Sequence, residues 1–217
     1  MVMRGLSMAA PGMISVAFAV AHAASLAGST ASFSKSTCAL QRKIFQWINV
    51  HRQGWVMTEI YEGGCFCGRI RYRQHGRPMF VHCCHCRDCQ RQSGSAFAVN
   101  ALIEADRVEI VEGEPVMITL PTDSGYPHDV YRCPQCQSAL WSDYGRRGWL
   151  RFMRVTTLDR ADEFAPDIHI FTRSRLPWVR LPESAIAVEE YYSPAKLWPQ
   201  QSLDRREAAR LKAGSDR

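Results

Sequence analysis

The sequence predicts a mostly β domain that is organised around metal-binding cysteines. Short alternating stretches predict strands, which Gly, Pro and Asp residues separate: RIRYR (69–73), AFAVNALI (96–103), DRVEIVEGE (106–114), HDVYRC (128–133), LWSDY (140–144), GWLRFMRVTTL (148–158) and DIHIFT (167–172). The sequence shows no helical repeat, no sustained heptads and no Gly-rich phosphate loop. Eight of the nine cysteines in the 217 residues fall into three tight groups, at 65–67, 83–89 and 133–136, and such grouping is typical of metal ligands.

Composition divides the chain into three parts. Residues 1–56 are a leader or extension, residues 57–193 are the expected domain, and residues 194–217 are a charged tail, expected to be a frayed helix or disordered. The leader combines Arg4, an apolar run from Met13 to Ala21 and the small residues of AHAAS, which is typical of a targeting segment. A domain that begins at Met57, behind a dispensable or misassigned extension, explains the same composition. Both interpretations stay open.

The charge distribution disfavours nucleic acid as a partner. The chain has 27 basic and 21 acidic residues, and five of the basic residues precede Glu59, where there is no acidic residue. The remaining 22 basic and 21 acidic residues nearly balance, without a stripe of basic and aromatic residues to follow a phosphate backbone. A spanning helix in the leader is also disfavoured, because Pro11, Gly12 and His22 interrupt its Ala-rich stretch. We therefore expect that the protein neither binds nucleic acid nor associates with a membrane.

The spacing of the cysteines predicts two zinc ions per chain. Short spacings in tight turns bring thiolates close enough to share one ion. The first and last pairs would close a structural zinc site, here called the four-sulfur group: Cys65, Cys67, Cys133 and Cys136. The middle group would hold a second zinc and leave one position of a tetrahedral ion for an external ligand; it is called the cysteine trio: Cys84, Cys86 and Cys89.

Spacing alone leaves alternatives open. The cysteine trio could instead share a site with Cys65 and Cys67. Cys83 is interpreted as a spare or weakly competing thiol, and no role is assigned to Cys38. A disulfide framework is disfavoured, because such frameworks usually occur in chains below about 100 residues with dispersed cysteines.

Four ordered motifs resemble those of one enzyme family. They are GGCFCGRIRY (63–72), CHCRDCQRQSGSAF (84–97), YRCPQCQSALW (131–141) and DIHIFTRSRLPWV (167–179). In this order they are similar to the motifs of the glutathione-dependent formaldehyde-activating enzymes, also called the GFA or CENP-V family. The resemblance implies an Mss4-like, mostly β zinc-binding fold. It also implies that the structural zinc falls on the four-sulfur group and the catalytic zinc on the cysteine trio.

The resemblance further implies an activity. The founding reaction of the family joins glutathione to formaldehyde and gives S-hydroxymethylglutathione; in reverse it is classed as a carbon-sulfur lyase. We therefore expect a zinc enzyme that acts on glutathione, or a related thiol, and on formaldehyde, or another small aldehyde. A non-catalytic zinc module for protein interaction is the alternative. Glutathione dependence favours the reducing cytoplasm, whereas a genuine leader would favour export or an organelle.

Residues beside the cysteine trio are the candidate substrate contacts. Zinc with three thiolates has a formal charge of −1, so nearby cations or amide donors must offset the charge of a fourth sulfur. Arg87 and Arg91 flank the last cysteine of the trio and could supply that charge. Gln90, Arg91 and Ser93 are the predicted substrate contacts. His169 is interpreted as a hydrogen-bonded structural histidine, with proton transfer or a place beside the zinc as alternatives.

Overall fold

The computed structural model describes residues 59–122 and 124–214; the leader and Cys38 lie outside these ranges. The described residues form ten strands: β1 (Ile60–Gly64), β2 (Arg71–His75), β3 (Phe80–Cys84), β4 (Ala98–Glu104), β5 (Val108–Glu112), β6 (Val116–Leu120), β7 (His128–Arg132), β8 (Ala139–Tyr144), β9 (Leu150–Arg154) and β10 (Ile168–Ile170). They also form three α-helices: α1 (Arg87–Ser93), α2 (Pro194–Leu197) and α3 (Gln200–Gly214). The expected mostly β fold is confirmed.

The strands form two sheets. A three-stranded antiparallel sheet has the order β1-β2-β5, and a seven-stranded sheet has the order β10-β3-β4-β9-β8-β7-β6. In the larger sheet, β10 and β3 are parallel, and every other neighbouring pair is antiparallel. Strands β10 and β3 are far apart in the sequence, and their parallel pairing brings residues 168–170 next to residues 82–84.

The pleat of the seven-stranded sheet separates two hydrophobic cores. Val81, Ala101 and Met153 are register neighbours and pack with β1 and β2 of the small sheet; this side is called the inner face. The next register row, Phe80, Leu102 and Phe152, packs with Trp198 before helix α3; this side is called the outer face. Alternate residues of a strand point to opposite faces, so neighbouring positions of β3 serve different cores.

The predicted strands and the observed strands agree in seven regions. All seven stretches named from the alternation overlap a strand, whereas β1, β3 and β6 were not predicted. Helix α1 was not predicted from the sequence either. The helix has only seven residues, and its ends are set by Cys86 at the N-cap and by Gly94, which has a left-handed φ of 63°.

The charged tail includes helix α3, which contacts the domain. Ser202 donates a hydrogen bond of 2.7 Å to the carbonyl of Met79, and Arg205 makes a two-pronged ion pair with the buried carboxylate of Glu104. These contacts hold the tail against the outer face. Within 59–122 and 124–214, no helix has the length and apolar character needed to cross a membrane.

Candidate metal centres

The four-sulfur group begins at a tight turn after β1. Cys65 follows the strand, and its Sγ accepts a hydrogen bond of 3.3 Å from the amide of Ile70. The amide of Gly68 donates to the carbonyl of Cys65 at 3.1 Å, and the φ of Gly68 is 77°, a left-handed value that suits glycine. Gly64 permits the close approach of the returning chain, because a Cβ there would lie 2.4 Å from the carbonyl oxygen of Ile70.

A second turn, after β7, completes this group. Cys133 follows the strand, and its carbonyl accepts a hydrogen bond of 3.1 Å from the amide of Gln137. The Sγ atom of Cys67 lies 3.6 Å from that of Cys65 and 3.7 Å from that of Cys133. Tetrahedral zinc with sulfur ligands requires separations of about 3.8 Å, so the geometry fits this ion. The turns therefore place four sulfur atoms, all within 4.8 Å of one another, where they could hold a metal ion.

Ser138 supports the four-sulfur group. Its Oγ lies 3.2 Å from the Sγ of Cys136 and accepts a hydrogen bond of 3.3 Å from the amide of Phe66. The hydrogen bond from Ser138 lowers the pKa of Cys136 to about 5. Ser138 thus favours the thiolate form of one ligand and links the two turns.

The cysteine trio is built from one continuous segment. Cys84 ends β3, Cys86 caps helix α1, and Cys89 lies in the first turn of that helix. The amide of Cys89 donates a hydrogen bond of 3.4 Å to the Sγ of Cys86, which is the usual role of an N-cap side chain. The three sulfur atoms lie within 4.8 Å of one another. Cys84 and Cys89 are buried in the outer-face core, and Cys86 is half-buried.

The protonation of the trio favours one thiolate before any metal binds. Hydrogen bonds from Cys84 and Cys89 lower the pKa of Cys86 to about 2. The hydrogen bond to Cys86 raises the pKa of Cys84, and burial raises it further. A bound metal ion would stabilise all three thiolates together, so the trio also fits a soft-ligand metal site.

A third convergence of metal-ligating atoms lies beside the trio, and we call it the mixed group: Cys83, His85 and His169. The Nε2 atom of His85 lies 3.6 Å from the Sγ of Cys83 and 3.0 Å from the Nδ1 of His169. Burial raises the pKa of Cys83 to about 12, and burial lowers the pKa of His85 to about 4, with smaller contributions from His169 and Arg175. The sequence pattern did not predict that Cys83 and His169 lie next to each other.

Comparison with known protein families matches the part of the chain that carries all three groups. The family model described as "Glutathione-dependent formaldehyde-activating enzyme" matches residues 60–174, more than half of the chain. The chain belongs to the glutathione-dependent formaldehyde-activating enzyme family. A curated protein of Halomonas elongata named "Putative glutathione-dependent formaldehyde-activating enzyme" is 26% identical over 127 residues, which cover 56% of this chain and 81% of that protein. A crystal structure of a Rhodobacter sphaeroides protein aligns with a TM-score of 0.35 at 18% identity, over 48% of this chain and 97% of that one.

The predicted substrate contacts beside the cysteine trio lie in different environments. Gln90 is buried, and its amide nitrogen donates to the carbonyls of His85 and Ser174, at 2.8 and 2.9 Å. Its amide oxygen accepts a hydrogen bond of 2.7 Å from Arg87. Ser93 donates to the carbonyl of Cys89 at 2.7 Å. The side chains of Gln90 and Ser93 therefore already hold the trio segment in place, and the exposed Arg91 lies on the accessible side of helix α1.

Two hollows adjoin helix α1, and both are lined by Gln92 and Arg132. The first hollow, of about 370 Å³, also has Arg91 and His128 in its wall. The second hollow, of about 350 Å³, also has Arg154 in its wall and reaches the turn of the four-sulfur group. These volumes are of the size that accepts small ligands. The hollows place basic side chains next to the family's cysteine motifs.

Sequence reasoning missed His128, Arg132 and Arg154 as site residues. Arg154 is buried, and its guanidinium donates to the side chains of Asn100 and Gln92. His128 is also buried and stacks on Tyr144 with ring centroids 3.8 Å apart, and its Nε2 has no hydrogen-bond partner among the described residues. All three residues were within predicted strands. Their positions near helix α1 depend on the order β4-β9-β8-β7, which local alternation does not reveal.

Proposed function

We propose that this protein catalyses the addition of glutathione, or a related thiol, to formaldehyde or another small aldehyde. The cysteine trio carries the proposal. Among the described residues, three cysteines converge there without a fourth Cys, His, Asp or Glu in the group, and both hollows lie against the same helix. Three protein ligands with an external fourth ligand are typical of catalytic zinc sites, whereas four are typical of structural ones.

Two zinc ions are proposed, one in the four-sulfur group and one in the trio. Zinc in the trio would stabilise the thiolate form of a substrate thiol at neutral pH, where a free thiol of pKa about 8.5 is mostly protonated. The protein supplies the rest of the site. Gln90 fixes the start of helix α1 against the carbonyl of His85, and Ser93 ties the end of the helix to Cys89. The reacting groups can then be held close together and in a fixed orientation.

The first hollow is proposed to hold the body of the thiol substrate. Glutathione carries two carboxylates, and Arg91 and Arg132 in the first hollow offer guanidinium groups that suit carboxylates. Arg154 is already engaged by Asn100 and Gln92, so we assign it a positioning role for Gln92. Of the predicted contacts, Arg91 is proposed to bind substrate directly. Gln90 and Ser93 are proposed to act through the position of the trio.

His128 is the proposed proton-handling residue. In the addition, a carbon–sulfur bond forms, the carbonyl π bond breaks, and the proton released by the thiol must reach the new alkoxide oxygen. His128 lines the first hollow, and its Nε2 has no partner within the described residues. Burial lowers its pKa to about 4, so the ring is neutral near pH 7. The same shift makes His128 a weak base, so we propose that it relays the proton from the thiol to the alkoxide and does not hold it. We expect His128→Gln to lower kcat by about 10²-fold with little change in the KM for glutathione.

Exchange NMR provides the test of the activity. Labelled formaldehyde and glutathione equilibrate with their adduct unaided, so the rate of exchange is measured with and without the zinc-loaded protein. We expect acceleration by the wild-type protein, no acceleration by Cys89→Ser, and full acceleration by Cys38→Ser, a cysteine outside the three groups. Equal rates with and without wild-type protein would refute the enzymatic proposal. That outcome, with both zinc ions bound, would favour the non-catalytic interaction module.

A further inference from the structure

The segment 83–86, with the sequence CCHC, carries two sets of metal-ligating side chains that point in opposite directions. Cys84 lies beside Ala98 and Ile170 in the register of the sheet, and all three belong to the outer-face core. Cys83 lies beside Val99 and His169, and Val99 packs against the inner-face core. The side chain of Cys83 therefore points away from the cysteine trio, to the other face of the same strand.

We propose that Cys83, His85 and His169 form a third metal site, distinct from the four-sulfur group and the trio, which binds zinc or a similar divalent ion. Strand β3, the residue that follows it and the neighbouring strand β10 supply the three ligands. Cys83 and His85 are two residues apart, so they share a face, and His169 is the direct register partner of Cys83 on the parallel strand β10. The proposal is independent of the catalytic activity.

The distances in the mixed group match a tetrahedral ion. Zinc–sulfur bonds of about 2.3 Å and zinc–nitrogen bonds of about 2.0 Å imply a sulfur–nitrogen separation of about 3.5 Å and a nitrogen–nitrogen separation of about 3.3 Å. The observed separations from the Nε2 of His85 are 3.6 Å to the sulfur and 3.0 Å to the Nδ1 of His169. The third separation, between the Sγ of Cys83 and the Nδ1 of His169, is within 4.8 Å, so side-chain adjustment alone would complete the coordination of an ion.

A single hydrogen bond can pair at most two of these three atoms. If the Nε2 of His85 carries the hydrogen, it donates to His169 and offers no lone pair to the thiol of Cys83. If the Nε2 carries no hydrogen, it can accept only one hydrogen, although two neighbours approach it. The Nδ1 of His85 has no partner in the described residues, so no second contact fixes the tautomer. A cation between the three atoms would use all three lone pairs at once.

Charge and burial predict how this site differs from the other two. One thiolate and two neutral imidazoles leave a divalent ion with a formal charge of +1, whereas the trio leaves −1. The positive charge of the Arg175 guanidinium repels a cation placed at His85 and His169. We therefore expect a divalent ion to bind more weakly here than at the two cysteine sites. Cys83 and His85 are buried and His169 is half-buried, which leaves the site reachable from the side of His169.

Cobalt binding tests the proposal with the full-length protein that already contains zinc in its two cysteine sites. Cobalt(II) with thiolate and imidazole ligands shows visible and near-ultraviolet absorption, which reports both stoichiometry and sulfur coordination. We expect one further equivalent of Co²⁺ to bind to the wild-type protein with a thiolate charge-transfer band. Cys83→Val, which keeps an apolar side chain of similar size, should lose that band and that equivalent.

His169→Gln provides the second variant, since it changes the partly exposed ligand and leaves the buried strand intact. We expect it to weaken cobalt binding at least 100-fold, and the double variant to lose no more than either single variant. Zinc analysis should still give two ions per chain in all variants. The proposal is wrong if the wild-type protein, with zinc in its two cysteine sites, binds no further metal ion at saturating Co²⁺. An unchanged cobalt spectrum in Cys83→Val would also overturn it.

Discussion

The four-sulfur group and the cysteine trio both consist of cysteine sulfur atoms, but their cysteines are distributed differently along the chain. In the four-sulfur group, Cys67 and Cys133 are 66 residues apart, and the group unites the end of β1 with the end of β7. In the trio, all ligands lie between Cys84 and Cys89, at the junction of one strand and one short helix. The first group joins distant parts of the fold, and the second group is local.

This difference predicts that the four-sulfur group contributes mainly to stability and the cysteine trio mainly to function. Cross-linking a loop of 66 residues restricts the unfolded chain by about 4 kcal/mol, whereas a loop of a few residues contributes less than half of that. The four-sulfur group also lies with the core between the two sheets, which includes Cys65 and Cys133, whereas Cys84 and Cys89 lie in the core on the outer face. We therefore expect the fold to depend on the first group and the chemistry to depend on the second.

Cys133→Ser should have the largest effect. Cys133 is fully buried, and its loss removes a ligand from the site that joins the two turns. Structural zinc binding contributes about 10–16 kcal/mol in small zinc domains, which is as large as the usual stability of a domain, about 5–15 kcal/mol. We expect insoluble or unfolded protein, measured by circular dichroism and by yield of soluble protein. A cooperative, native-like melting transition in this variant would show that the fold does not depend on this group.

Cys89→Ser should separate activity from folding. The expected protein is folded, contains one zinc ion fewer, and shows no turnover above the uncatalysed rate, because the trio alone has lost a ligand. Compared with wild-type protein without zinc in the trio, its free energy of unfolding should fall by about 1–2 kcal/mol, since a polar atom replaces a thiol that is 2% exposed. Zinc analysis, urea unfolding and exchange NMR measure the three quantities. Full activity here, and in the matching Cys84→Ser and Cys86→Ser, would remove the trio from the catalytic site.

The contrast between the two groups was partly visible in the sequence. The pairs at 65–67 and 133–136 and the trio at 84–89 could be separated by counting ligands, and the structure brings together the sulfur atoms within each set. The mixed group was not predicted, since His169 reaches Cys83 only through the parallel pairing of β10 with β3. His128 and Arg132 were missed for a similar reason, because sheet order rather than local alternation brings β7 towards helix α1. The alternation of CCHC could have indicated two ligand sets on opposite faces.

Chelation should release the two zinc ions in separate phases. The trio has three protein ligands and the four-sulfur group has four, so a chelator can coordinate the trio's ion before any protein ligand leaves. After weakly held metal is removed, we expect one equivalent to leave quickly with an unchanged circular dichroism spectrum. The second should leave slowly, together with unfolding. Simultaneous release of both ions with loss of structure would mean that the trio also stabilises the fold.

Ser138→Ala should have the smallest effect, and it tests whether the four-sulfur group influences the chemistry. The change removes the hydrogen bonds from Ser138 to Cys136 and from the amide of Phe66 to Ser138, and each such bond contributes about 1 kcal/mol. We expect the free energy of unfolding in urea to fall by about 1–2 kcal/mol, because both turns remain in place and all four sulfur ligands are retained. Turnover at the trio should be unchanged, since the two groups belong to different cores. A clear loss of turnover in this folded, fully zinc-loaded variant would show that the second hollow, which Ser138 also lines, takes part in substrate binding.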